Sequence, residues 1–254
     1  MMLPASLAVA AILGAEPWSE GLRAQIEEGL RVRAFDSLEQ MLPEVDAVAV
    51  CTPTDTHKEC TVLAAAARKH VLCEKPMALT LKQADEMISA AKRNRVILQI
   101  GFMRRFSPEF QAAKRQVTEG AIGKPTLIKS TGRGPGLPPA WACDPRTSIG
   151  MLAEVNSHDF DTARWLMESE VERLYAEAEA LVAPELKEKY EDFYDRSVVV
   201  LRFRNKGLGV IDGACPAKYG YDARVEILGT EGMMLVGELK DQAMVTCTKE
   251  RGVY

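Results

Sequence analysis

Residues 46–101 read DAVAVCTPTDTHKECTVLAAAARKHVLCEKPMALTLKQADEMISAAKRNRVILQIG. Three apolar runs of strand length stand out: Asp46–Cys51, His70–Cys73 and Val96–Ile100. The first is continuous, as in a strand buried on both faces of a parallel sheet. Between the runs lie two stretches of helix length, the alanine-rich Thr56–Arg68 and a second one that Thr80 opens and Arg93 ends. Strands alternating with crossover helices form βαβ units, so this stretch predicts a Rossmann-type, doubly wound parallel sheet.

Toward the N-terminus the same rhythm continues. Leu7–Ile12 has strand length, and Trp18–Leu30 reads as an amphipathic helix with Leu22, Ile26 and Leu30 spaced by four. Val32–Phe35 is expected to be a short strand, and Ser37 with Gln40 three residues on fits a capping box. The apolar run Leu3–Ala15 has no Lys or Arg before it, so a strand suits it better than a signal-peptide core.

Beyond Arg105 the pattern changes. A helix is expected over Ser107–Glu119, a strand near Thr126–Ser130, a Gly/Pro-rich loop over Gly132–Pro139 and a helix over Leu152–Met167. Strand candidates then follow at hairpin-like spacing: Val171–Ala183, Ser197–Arg204, Leu208–Ala214 and Arg224–Leu228. A run of strands after helices predicts an α+β domain with a mostly antiparallel open sheet. The expected division is residues 1–104 for the dinucleotide-binding domain and 105–254 for the substrate-binding and oligomerisation domain.

Composition excludes several classes. The 254 residues are 47% apolar and 27% charged, an ordinary globular balance, and the net charge of -4 argues against nucleic acid as the main partner. No apolar run approaches the ~18 residues of a membrane span. Six cysteines without a C-x-x-C pair suit free thiols in a reducing, cytoplasmic setting.

Ligands of doubly wound sheets sit at the carboxyl ends of the strands, and two segments lie there. In Cys51–His57 (CTPTDTH), Pro53 stiffens the turn, while the hydroxyls of Thr52 and Thr54 and the next helix N-terminus suit a nucleotide phosphate or ribose; an ordinary capped turn reads the same way. In Cys73–Pro76 (CEKP), Lys75 can hydrogen-bond a substrate hydroxyl and bias its proton toward transfer, where the plain alternative is a surface lysine. A third constellation pairs Glu154 with His158 at helical i, i+4 spacing, which places carboxylate and imidazole on one face. His158 can take an alcohol proton, and Asp161 lies three residues on to orient it. A structural histidine is the competing reading; zinc lacks an H-E-x-x-H pattern and a third ligand, so no metal is expected.

The order and spacing of these segments resemble the glucose–fructose oxidoreductase/inositol dehydrogenase/MocA (Gfo/Idh/MocA) family over nearly the whole chain. The resemblance rests on CTPTDTH at Cys51–His57, KHVLCEKP at Lys69–Pro76, GFMRRF at Gly101–Phe106, EVNSHDFD at Glu154–Asp161 and KYGYDARVE at Lys218–Glu226. The last two look most like the inositol dehydrogenase branch. The resemblance implies an NAD- or NADP-dependent oxidoreductase acting on a secondary alcohol of a cyclic polyol or sugar, and a homo-oligomer, dimer or tetramer. It implies cofactor contacts from Thr52, Pro53, Thr54, His57, Glu74, Lys75, Pro76 and Arg104. His158 is the implied proton acceptor, with Lys75 and Glu154 beside it in catalysis, and Arg105, Asn156, Asp161, Tyr219 and Tyr221 line the implied substrate pocket.

Three departures qualify the expectation. The G-x-G-x-x-G fingerprint of the first βα turn is absent, so the chain is expected to lack that unit, and its C-terminal end also looks short. The first strand ends without the acidic residue that holds a ribose diol, Glu16 being the nearest carboxylate, which leaves NAD against NADP open. Glu154 stands where many relatives carry Asp. A non-catalytic relative serving as a binding or assembly module is the alternative these departures suggest.

Overall fold

The computed structural model describes residue 28, residues 33–237 and the backbone of residues 244–248 and 252–253. The expected elements Leu7–Ile12 and Trp18–Leu30, the apolar run from Leu3 and Glu16 lie outside the described residues, Glu28 apart. Two compact units divide at Gly101/Phe102.

In the first unit Ser37 caps a short helix, α1 (Leu38–Met41), by accepting from Gln40 N at 3.3 Å. The Gln40 amide oxygen reaches back to Asp36 N at 3.4 Å, one residue before the cap itself. Residues 33–35 form no strand, contrary to the expectation for Val32–Phe35. Three parallel strands follow in the order β1 (Ala47–Val50), β2 (His70–Cys73), β3 (Leu98–Ile100). The crossovers are α2 (His57–Ala66) and α3 (Leu81–Asn94). Thr80 caps α3 by accepting from Gln83 N, and Arg95 ends it in the left-handed region, φ 58°. Val48, Val50, Val71 and Cys73 turn one face of the sheet onto Ala64 of α2 and Met87 of α3. Burial in β1 alternates rather than running continuous as its composition suggests.

The second unit begins with α4 (Pro108–Thr118), whose first-turn proline needs no backbone donor. An eight-stranded mixed sheet has the order β11-β10-β9-β8-β4-β7-β6-β5. Its strands are β4 (Pro125–Arg133), β5 (Val171–Glu179), β6 (Arg196–Phe203), β7 (Leu208–Ala214), β8 (Asp222–Gly229), β9 (Gly232–Val236), β10 (Met244–Thr248) and β11 (Gly252–Val253). Only β4 and β7 pair in parallel. The inner face meets α4 and a helix at Ser157–Leu166 through Phe110, Leu166, Val199, Phe203, Ile211 and Ile227.

Two expected elements end earlier than their composition suggests. The run Val171–Ala183 leaves the sheet after Glu179 because the buried Asp195 carboxylate accepts from the amides of Leu181, Val182 and Ala183 at 3.0, 2.8 and 2.8 Å. The expected helix Leu152–Met167 is two helices, α6 (Met151–Glu154) and α7 (Ser157–Leu166), preceded by the short α5 (Ala140–Cys143). Asn156 breaks it by turning its amide inward, where Nδ2 donates to Gly132 O at 3.0 Å and to Asp159 Oδ2 at 2.8 Å. Short polar side chains compete in this way with helical backbone bonding.

Candidate active site

Strand ends of the first unit form two loops that one histidine braces. His57, the first residue of α2 and buried, places Nδ1 2.8 Å from Pro76 O and Nε2 2.8 Å from Thr52 O. Both ring nitrogens are therefore engaged by the backbone of the loops after β1 and β2. His57 holds the loops, and the side chains of Thr54 and Pro76 are buried. The accessible groups are Thr52, Pro53, Glu74 and Lys75. Thr52 Oγ1 accepts from Thr56 Oγ1 at 2.6 Å. Glu74 accepts from Lys75 N at 3.3 Å, and its carboxylate lies over Gly101, where a β-carbon would come within 3.1 Å of both oxygens. Below the loop, burial pushes the Cys73 thiol up to about 12.

In the second unit Gly150, at φ 83°, starts α6 against the Tyr194 ring. Tyr194 Oη accepts from Leu152 N at 3.2 Å, which holds the helix start. Glu154 ends α6 and accepts from Ser148 Oγ at 2.9 Å. Because the chain breaks at Asn156, the continuous-helix argument that paired Glu154 with His158 does not apply. His158 sits in the first turn of α7, buried, with Phe102 edge-on at 6.4 Å between ring centroids and 82° between planes. Among the described residues no three His, Cys, Asp or Glu side chains converge as metal ligands.

Glu154 opens onto a cavity of about 270 Å³ whose wall includes Pro138, Cys143, Ser148, Met151 and Tyr194. Apolar surface with a few polar groups in it is the usual make-up of a small-molecule site. Ser148 and Tyr194 were not singled out in the sequence. The Thr147–Gly150 turn before Glu154 was the available signal for Ser148, whereas Tyr194 arrives from a distant loop.

The remaining expected substrate and cofactor residues have other partners. Arg104 belongs to the second unit, is buried, pairs with Asp159 at 2.7 Å and lies 5.5 Å over the Phe110 ring. Its packing and ion-pair contacts there are with Phe110 and Asp159. Arg105 donates from Nε and Nη2 to the two oxygens of Asp161, both at 2.8 Å, and stacks 5.4 Å from Trp165. These hydrogen bonds hold the Arg105 guanidinium above its ordinary range. They also make Asp161 the partner of Arg105. Asn156 is fully buried, its Oδ1 without a hydrogen-bond partner among the described residues. Tyr219 accepts from Arg133 Nη1 and donates to Asp222, each at 2.8 Å, while Tyr221 is exposed.

Comparisons with known proteins agree with this architecture. Residues 7–102 match the model of an oxidoreductase family with an NAD-binding Rossmann fold, and residues 110–235 match the GFO/IDH/MocA C-terminal domain. Myo-inositol 2-dehydrogenase of Thermotoga maritima is 42% identical over 210 residues, covering 83% of this chain and 61% of that protein. The scyllo-inositol 2-dehydrogenase (NAD(+)) of Bacillus subtilis is 34% identical over 234 residues, covering 92% of this chain and 63% of that one. The chain thus spans about three fifths of the length of these curated relatives. A crystal structure of a probable dehydrogenase from Thermotoga maritima superposes with a TM-score of 0.82 at 38% identity, over 93% of this chain and 71% of that chain. The chain belongs to the GFO/IDH/MocA oxidoreductase family.

Proposed function

We propose that this protein oxidises a secondary alcohol of an inositol-like cyclic polyol with NAD as hydride acceptor. The observation that carries the reading is the cavity with Glu154 in its wall, of a size for one small ring and one helix break away from His158. Its support is the 42% and 34% identity to inositol dehydrogenases.

NAD supplies, when bound, an electrophilic ring carbon that accepts hydride. The fit rests on the accessible hydroxyl, carboxylate and ammonium of Thr52, Glu74 and Lys75 at parallel-strand ends, where dinucleotide folds bind. In this reading the Lys75 ammonium hydrogen-bonds the reacting hydroxyl, and His158 accepts its proton. Glu154, one methylene longer than the Asp of many relatives, accepts from a second ring hydroxyl, with Ser148 fixing its carboxylate. Thr54, His57 and Pro76 shape the cofactor loops, and Arg105, Asn156, Tyr219 and Tyr221 remain the further substrate-pocket residues that the family resemblance implies. The open face of the large sheet suits a second copy of the chain, and a cytoplasmic setting suits the five free thiols among the described residues. No helix among the described residues is long and apolar enough to cross a membrane.

The test is NADH formation from myo- and scyllo-inositol by the purified chain. Lys75→Ala and His158→Gln are each expected to lower kcat by about 100- to 10,000-fold. Unchanged turnover in both variants overturns the assignment, and failure of NAD to bind at millimolar concentration favours a non-catalytic module.

A further inference from the structure

Asp159 is a carboxylate with no solvent exposure at the first turn of α7. Two other segments and the helix's own N-cap residue, Asn156, hold it. Arg104, from the turn Met103–Phe106, donates to Oδ1 at 2.7 Å; Ser130 of β4 donates to the same oxygen at 2.5 Å; Asn156 donates to Oδ2 at 2.8 Å. Beneath them two adjacent strand positions are glycines. Gly132 and Gly213 are register partners on the parallel pair β4 and β7. A β-carbon on Gly132 would lie 1.9 Å from Asp159 Oδ2, and one on Gly213 2.3 Å from Asn156 Oδ1.

Dehydrating a carboxylate and a guanidinium costs several kcal/mol each before their attraction is counted, and well-packed apolar residues often do as well or better. Elsewhere α7 docks through the apolar Ala163 and Leu166 and through the pair of Asp161 with the half-exposed Arg105, so docking does not by itself call for a second, fully buried cluster. What it adds is direction. Bonds to Arg104 and Ser130, with the N-cap Asn156 tied to the Gly132 carbonyl, fix the rotation of α7 about its axis and its height above the glycine pair. His158 is the adjacent residue. A helix roll of about 15° would swing a side-chain atom ~6–7 Å from the axis through roughly 1–2 Å. A misplacement of that size is enough to cost a reacting group on the order of 100-fold in rate.

We infer that Asp159, clamped by Arg104, Ser130 and Asn156 on the Gly132–Gly213 patch, is the positioning residue for His158. The inference rests on the reading of His158 as proton acceptor. The chain has three histidines, so ¹⁵N-histidine labelling yields three imidazole signal sets, with that of His158 identified by its loss in His158→Gln. In Asp159→Asn the His158 signals are expected to shift and broaden while those of His57 and His70 stay in place. The kcat for inositol oxidation is expected to fall about 30- to 100-fold, with KM within about two-fold. Ser130→Ala, which keeps the ion pair, should move the same signals less and covers the case in which Asp159→Asn fails to fold. Arg104→Met combined with Asp159→Asn removes the orphaned cation; it is expected to recover thermal stability but not kcat.

His158 signals unchanged in folded Asp159→Asn or Ser130→Ala overturn the inference, as does recovery of kcat along with stability in the double variant. Full activity of His158→Gln, or no turnover by the unmutated chain, overturns the catalytic reading instead, and the imidazole spectra still decide whether Asp159 places His158.

Discussion

A single methyl group tests the seat beneath α7. In Gly132→Ala the new carbon would meet Asp159 Oδ2 at 1.9 Å and Asn156 Nδ2 at 2.7 Å, and both atoms belong to fully buried side chains fixed by other bonds. Neither can swing aside without abandoning Arg104, Ser130 or the Gly132 carbonyl. Overpacking of this kind costs about 1–3 kcal/mol, and the polar bonds lost with it place Gly132→Ala at or above the upper end. Urea denaturation should report that loss, whereas Gly136→Ala, with nothing within 4 Å of the new carbon, should fall within ~0.5 kcal/mol of the parent. A Gly132→Ala protein as stable as the parent would show that the carboxylate is not pinned. Lys75 and His158 are candidates that the sequence offers because their motifs are local. Gly132 and Gly213 were not, since what matters about them is that they face each other across strands far apart in the chain, and register is set by tertiary pairing.

Elements were read well where local chemistry decides them and less well where a distant side chain does. β2 was read to the residue, and Thr80 marks the start of α3 by its own cap. The end of β5 depends on Asp195, which takes three amides from across a loop, and no periodicity carries that information. In the middle of the sheet, along the same row of strand ends, β4, β7 and β8 are joined by a charged cluster with a definite pH signature. Asp222 of β8, buried, accepts from Arg224 Nε and Nη2 at 2.7 and 2.9 Å and from Tyr219 at 2.8 Å, with Arg133 at 3.9 Å. Burial pushes its carboxyl upward, but the Arg224 and Tyr219 hydrogen bonds and the nearby guanidinium charges outweigh it and leave it below the usual range. A folded value below the unfolded ~3.9 means the contribution is full above about pH 4 and is lost as pH falls through the folded value. Asp222→Asn should therefore cost about 1–2 kcal/mol at pH 7, a modest figure because Arg224 is open to screening solvent. The difference from the parent should shrink below about pH 3 in urea titrations. A cost that is the same at pH 7 and pH 3 would show that shape, not charge, matters there.

On the scale of the whole chain, the second unit covers its large sheet with helices on one side only. Residues on the open side line up in register: Tyr175 of β5, Val200 of β6, Val210 of β7, Lys129 of β4, Glu226 of β8 and Leu235 of β9. Val198 and Val200 are half exposed, and Tyr175, Leu208 and Leu228 also stand in solvent. Strands facing water on one side normally carry polar residues there, and large exposed apolar patches mark interaction surfaces. The Lys129–Glu226 pair, 2.8 Å apart within this face, supplies its one described ion pair between β4 and β8 away from the Arg133 cluster, and leaves the β6 centre aliphatic. A face of this kind is self-complementary when a second copy meets it across a two-fold axis, because aliphatic centre meets aliphatic centre. The prediction is that the parent chain runs as a dimer or tetramer in light scattering at micromolar concentration. Val198→Glu with Val200→Glu places four like charges at the centre of a two-fold contact and should shift it to monomer. Because both positions are solvent-facing within one copy, the far-UV circular dichroism spectrum should remain that of the parent. A parent chain already monomeric at ~50 μM would remove the case for this face, since interfaces of ordinary size, about 1,600 Å² of total buried surface, commonly hold at that concentration.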